Sequence, residues 1–105
     1  MTFHVRLTHA AAEDLERLFD FVLERELQRS DGDLQLAERA LQAIKDGIAT
    51  LRNSPFPCRK AGPSPLLREL VIPFGRSGYV ALFEIMDSAN VVVAAVRHQL
   101  EDDYH

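Results

Sequence analysis

Phe3-His4-Val5-Arg6-Leu7 alternates apolar and polar side chains, the period of a strand with one buried face. Leu15, Leu18, Phe19 and Val22 then recur at helical spacing, which predicts a first helix from about residue 9 to 29. Thr8 is placed to cap it, and Glu13, Asp14 and Glu16 suit the positive end of its dipole. Ser30-Asp31-Gly32-Asp33 breaks the pattern with turn chemistry. The second helix is the clearest element: Leu34, Ala37, Leu41, Ile44, Ile48 and Leu51 alternate steps of three and four, with Glu38, Arg39, Gln42, Lys45 and Arg52 between them.

Pro55, Pro57, Pro63 and Pro65 bracket a stretch expected to lack regular structure. Three β-prone runs follow: Leu66–Ile72, Gly78–Ile85 and Val91–His98. Pro73 to Ser77 links the first pair and Asp87 to Asn90 the second, and links that short favour an antiparallel meander. The predicted order is β-α-α-β-β-β in a single domain over residues 1–105. That is an α+β fold, with a helical hairpin packed on a small antiparallel sheet. Both alternating faces of the last run are apolar, and two helices cover only one face of a sheet. The second face is therefore expected to keep apolar surface for a partner or a second copy.

Composition changes this picture little. The chain has 105 residues, 47% apolar and 27% charged, ordinary values for a globular domain. No run of residues is long and apolar enough for a membrane span. The N-terminus lacks a signal-peptide apolar stretch, and the lone Cys58 has no partner for an internal disulfide, so a cytoplasmic location is expected. A net charge of −4 argues against bulk or sequence-specific DNA binding by this chain. The charge is uneven: Arg59, Lys60, Arg68 and Arg76 make a locally basic stretch, and Glu101, Asp102 and Asp103 an acidic tail. His4, His9, His98 and His105 show no metal-ligand spacing, and no phosphate loop, nucleotide fingerprint or Ser-His-Asp ordering is present, so no metal or cofactor is expected.

With this order in hand, the chain resembles the RelE/ParE superfamily of toxins from type II toxin–antitoxin systems. The matching residues are Leu7-Thr8 followed by Ala11-Ala12-Glu13-Asp14-Leu15, and Leu51-Arg52-Asn53-Ser54-Pro55 after the helices. The pattern continues in Leu67-Arg68-Glu69-Leu70, Ser77-Gly78-Tyr79-Val80-Ala81-Leu82-Phe83 and Val96-Arg97-His98-Gln99. The ribonuclease branch, as the resemblance implies, cuts messenger RNA on the ribosome with several cations and a late tyrosine. This chain departs from that pattern: Val80, Val71, Pro73 and Gln99 stand where the branch carries Arg or Lys. If it were a ribonuclease, Arg97, His98 and Tyr104 would carry the chemistry, beside an acidic tail that repels phosphate.

The chain is more similar to the ParE-like branch, whose members end the last strand with an Arg-His pair. The resemblance implies a non-enzymatic toxin that poisons DNA gyrase, arrests growth and serves plasmid stabilisation. It also implies a ParD-like antitoxin that orders on binding and forms a toxin–antitoxin hetero-oligomer. Arg68, Arg76, Arg97 and His98 are the candidate partner-binding residues. Three of them have a plainer expectation: a carboxylate salt bridge for Arg68, a solvated turn for Arg76 and a packed imidazole for His98.

Overall fold

The computed structural model describes residues 2–100. Its elements are β1 (His4–Leu7), α1 (His9–Leu27), α2 (Leu36–Ala49), a single 3-10 turn (Thr50–Arg52), β2 (Arg59–Lys60), β3 (Leu67–Phe74), β4 (Ser77–Ile85) and β5 (Asn90–His98). The predicted order holds, with one short strand added inside the proline-bracketed loop. The strands form one sheet in the order β1-β5-β4-β3-β2. β3, β4 and β5 make the expected antiparallel meander, whereas β1 joins the far edge parallel to β5, so the sheet is mixed. The two helices intervene between β1 and the meander, and that crossover lets the first strand return in the parallel sense.

Thr8 caps α1 as expected: its Oγ1 accepts the Ala11 N–H at 3.1 Å and donates to the Ala94 carbonyl at 3.1 Å. The Asp14 carboxylate does not serve the helix dipole. It is buried and accepts the Val96 N–H at 2.8 Å, tying α1 to β5. On the helix-covered face, Leu18 of α1 and Ala40, Ile44 and Ile48 of α2 close over Ile72, Tyr79, Ala81, Phe83, Ile85, Val91, Val93 and Val96. Among the described residues Phe83 is the largest side chain with no exposure. Gly47 brings α2 close to β3, because a Cβ there would lie 2.8 Å from Ile72 Cγ1.

The connection after α1 is organised by a carboxylate that the helical pattern did not single out. Glu26 is buried; its Oε1 accepts the Asp33 N–H at 3.0 Å, and its Oε2 lies 3.2 Å from Arg25 Nε and 3.4 Å from Arg29 NH1. Gly32 is required beside it, since a Cβ would fall 1.8 Å from the Glu26 carbonyl oxygen. Asp33 in turn accepts the Gln35 N–H at 3.0 Å and pairs with Arg39, securing the start of α2. The Asp33 amide holds the Glu26 carboxyl below its ordinary 4.5 against the opposing effect of burial, and Arg39 holds Asp33 below its ordinary 3.8. Depressed folded values stabilise the fold above the unfolded values, and that contribution is lost as pH falls through the folded ones. Urea midpoints should therefore be insensitive to these groups from pH 8 to 5 and drop below about pH 4.5. Glu26→Gln should flatten the acid limb, and an unchanged limb in that variant would refute the assignment.

Two short links take forms that the residue pattern did not specify. β3 runs through Pro73 to Phe74 and β4 starts at Ser77, leaving only Gly75 and Arg76 as the turn. Gly75 has φ 60 and no non-glycine among the described residues has positive φ, the pattern of a two-residue hairpin with glycine first. Pro73 is tolerated because β2 pairs with β3 only at Arg68 and Glu69, so β3 is an edge at that point. At the other hairpin, Asp87 Oδ1 accepts the Ala89 N–H at 2.8 Å, which closes the predicted tight turn and lowers the Asp87 pKa.

Candidate functional site

The candidate residues fall at two ends of the sheet. Arg68 sits on β3, on the helix-covered side, opposite Phe83. Among the described residues it meets no carboxylate, contrary to expectation. Its Nε donates to the Pro65 carbonyl at 2.8 Å, and NH1 donates to the carbonyls of Phe56 at 2.6 Å and Cys58 at 2.9 Å. The guanidinium also lies 5.6 Å from the Phe56 ring centroid. The reason is supply: a proline-punctuated loop leaves carbonyls without ladder partners, and a planar five-donor group collects several at once. Arg68 therefore pins the loop, which lets Arg59 and Lys60 pair with β3 as β2. Cys58 lies in the same loop, and burial pushes its thiol pKa up, away from a reactive thiolate.

Arg76, Arg97 and His98 gather at the opposite end of the sheet, where the β3–β4 turn meets the end of β5. A β-bulge governs their orientation. Ile85 to Phe83 pair with Val91 to Val93 in steady register, but Leu82 then faces Ala95, so Ala94 is the extra residue. Beyond it, His98 pairs with Tyr79 and Arg97 with Val80. In an unbroken ladder Arg97 would face Tyr79, and every later side chain of β5 would change faces. The bulge thus directs His98 to the helix-covered face and Arg97 to the open one.

On the covered face, the His98 ring meets Tyr79 edge-on, with centroids 5.6 Å apart, and Phe74 lies 6.3 Å from Tyr79. His98 Nδ1 accepts the Leu100 N–H at 3.2 Å. That bond leaves the proton of the neutral ring on Nε2, 3.0 Å from Ser77 Oγ. The expected packed imidazole is what the geometry shows. Burial raises the Tyr79 phenol pKa, opposed by the nearby Arg25 guanidinium, so the phenol stays protonated through neutral pH.

On the open face, Arg97 reaches across β4 to Glu69 of β3, NH2 to Oε2 at 3.9 Å, and Arg59 Nε meets the other Glu69 oxygen at 3.0 Å. Two strand spacings separate β5 from β3, so this charged row passes over Val80 and Leu82. Val80 has no exposure and Ala95 has 6%. The middle of the open face is therefore less apolar than the alternation implied: among the described residues its exposed large hydrophobics are Val71, at 40%, and Met86, at 50% and just past the end of β4. Arg76 is exposed at the hairpin tip, the solvated turn that was expected. Tyr104 and the acidic residues Glu101, Asp102 and Asp103 lie outside the described residues.

The helices carry exposed apolar surface of their own. Leu15 and Phe19 of α1 and Leu41 of α2 line a groove edged by Glu16 and Lys45, and Phe21 and Leu27 of α1 are 62% and 60% exposed. No helix among the described residues is long and apolar enough to cross a membrane. Ser77, Tyr79 and Glu69 complete the surroundings of the Arg-His pair, and residue types alone did not single them out. Only cross-strand register could have found them, and the bulge shifts that register by one.

Three comparisons bear on this arrangement. The family model described as the ParE toxin of the type II toxin-antitoxin system parDE matches residues 5–103. Toxin RelE1 of Caulobacter vibrioides is 33% identical over 101 residues, covering 96% of this chain and 98% of its own length. A solved chain of the chromosomal ParDE TA system from P. aeruginosa aligns with a TM-score of 0.70, over 92% of this chain and 96% of its own. Its identity is 17%, so that likeness is one of fold. With a family match over nearly the whole length, the helical hairpin on a five-stranded sheet and the closing Arg-His pair fall into place: the chain belongs to the ParE toxin family of type II toxin–antitoxin systems.

Proposed function

We propose that this toxin arrests growth by binding DNA gyrase from the sheet end that carries Arg76, Arg97 and His98, without chemistry of its own. The observation that carries this reading is the opposed orientation of Arg97 and His98. A ribonuclease centre needs a cation and an acid–base group converging on one phosphate and ribose. Here the two side chains stand on opposite faces, His98 held between Ser77 and Leu100 and Arg97 drawn over β4 to Glu69. Such a pair suits protein recognition, with an exposed cation at the hairpin tip and a fixed polar edge beside it.

The second part of the proposal is a ParD-like antitoxin, and with it a toxin–antitoxin hetero-oligomer in the cytoplasm. The groove of Leu15, Phe19 and Leu41, flanked by charges of both signs, suits the apolar face of an amphipathic helix. An antitoxin segment ordering there would cover surface that the toxin alone leaves wet.

Expression of the chain alone should arrest growth with DNA-damage signalling and intact messenger RNA. The purified protein should block gyrase supercoiling, and co-expression of the antitoxin from the neighbouring reading frame should relieve both effects. Cleavage of ribosome-bound messages that disappears in Arg97→Ala or Tyr104→Phe would overturn the proposal in favour of a ribonuclease. No growth effect at all would reduce the chain to an antitoxin-binding relative.

A further inference from the structure

We infer that Asp14 of α1 is a positioning residue for the Arg97–His98 pair: it holds the β5 bulge and so decides which face each of them occupies. The inference rests on the proposed function only where it touches gyrase. The register assignment stands on geometry alone.

The bulge at Ala94 interrupts the β4–β5 ladder in the middle of the sheet, where backbone groups have no water to turn to. The strand on either side of the extra residue is met by the N-cap and the second turn of α1. Thr8 Oγ1 donates to the Ala94 carbonyl at 3.1 Å, just past the last bond of the β1–β5 ladder, Thr8 N–H to the Val93 carbonyl at 2.9 Å. Asp14 Oδ2 accepts the Val96 N–H at 2.8 Å. Asp14 is only 1% exposed, and Arg17 NH2 lies 3.8 Å from its other oxygen. A carboxylate is costly to bury, and its placement is intelligible as the acceptor for an amide beside an irregular ladder step.

The consequence propagates along the strand. In steady register, the pairing of Phe83 with Val93 would continue to Tyr79 with Arg97, placing the guanidinium under α1 and His98 on the open face. One extra residue reverses both. Arg97 then reaches Glu69, and His98 reaches Tyr79, Ser77 and Leu100. α1 thus controls, from about a helix turn and a half into its length, the face that each residue of the pair presents.

The test compares wild type with Asp14→Asn, which keeps a neutral oxygen acceptor, and Asp14→Leu, which fills the site without one. Amide hydrogen exchange at Val96 should quicken in the order Asp, Asn, Leu, by about tenfold or more for Leu. Nuclear Overhauser contacts between the Tyr79 and His98 rings should weaken in the same order. Exchange at Ile44 in α2 should not follow it. A missing gradient at Val96 overturns the inference. So does an equal acceleration at Ile44, which marks Asp14 as a general stabiliser. The Asp–Asn comparison decides the matter if the Leu variant does not fold. Gyrase inhibition is read separately. A loss in the same order supports the register as what presents the pair, whereas unchanged inhibition beside a Val96 gradient removes the pair from the target surface. Absence of inhibition by the wild type counts against the proposed function and leaves the Val96 result to decide the register.

Discussion

Phe83→Ala is expected to lower the stability of the fold by about 3–5 kcal/mol, the largest loss from any single truncation in this core. Phe83 is the bulkiest of the described side chains without solvent exposure. It sits on β4 at the centre of the sheet, between Arg68 of β3 and Val93 of β5, in the cluster formed by both helices. Truncation leaves a cavity walled by three strands and a helical hairpin, elements that cannot all close on it at once. A domain of this size has a total stability of only about 5–15 kcal/mol, so the variant should sit near its unfolding threshold at 37 °C. Urea unfolding followed by circular dichroism measures the loss, and a change below about 1 kcal/mol would show that the site collapses freely.

Gly78→Ala is expected to be the second severe change, costing about 3 kcal/mol through backbone strain and not through lost contacts. Gly78 has φ 153, and a Cβ there would stand 2.2 Å from the Ile72 carbonyl and 3.0 Å from the Phe74 nitrogen. Both obstacles are backbone of the paired strand, so relief requires β3 and β4 to part just before their turn. The Gly78 carbonyl also accepts the Gln99 N–H at 2.9 Å, which anchors the exit from β5. The strain should therefore be felt at Ser77 and His98, and a Ser77–His98 contact surviving intact at wild-type stability would refute the account. Phe83→Ala predicts the contrary pattern, with global loss and no selective loosening of this end.

The two predictions differ in how far each residue's role could be read from the chain. Phe83 lies in an alternating apolar run, and its assignment to the core needed only the period of a strand. Gly78 was legible as the start of a strand, but the close approach that makes it glycine depends on pairing with Ile72 to Phe74. The candidate site divides similarly. Arg76 and His98 stand much as their residue types and local context implied. Arg68 did not, because a guanidinium near several stranded carbonyls prefers them to a carboxylate that the loop does not provide. The open face of the sheet was expected to be greasy, and the Arg97–Glu69–Arg59 row instead shields its middle. Periodicity assigns side chains to faces but does not say which long polar ones fold back over apolar neighbours.

By itself the amino-acid sequence determined the order and type of every element but the short β2, with the helical hairpin and the antiparallel meander, because these follow from periodicity, turn chemistry and residue spacing within short windows; the family was legible only as a resemblance of motifs. Tertiary structure alone decided the parallel return of β1, the buried roles of Asp14 and Glu26, and the bulge at Ala94 that sends Arg97 and His98 to opposite faces. In β5 both alternating sets are apolar, so hydrophobicity is nearly indifferent to a slip of one residue. Contacts from a helix some eighty positions earlier in the chain break the tie.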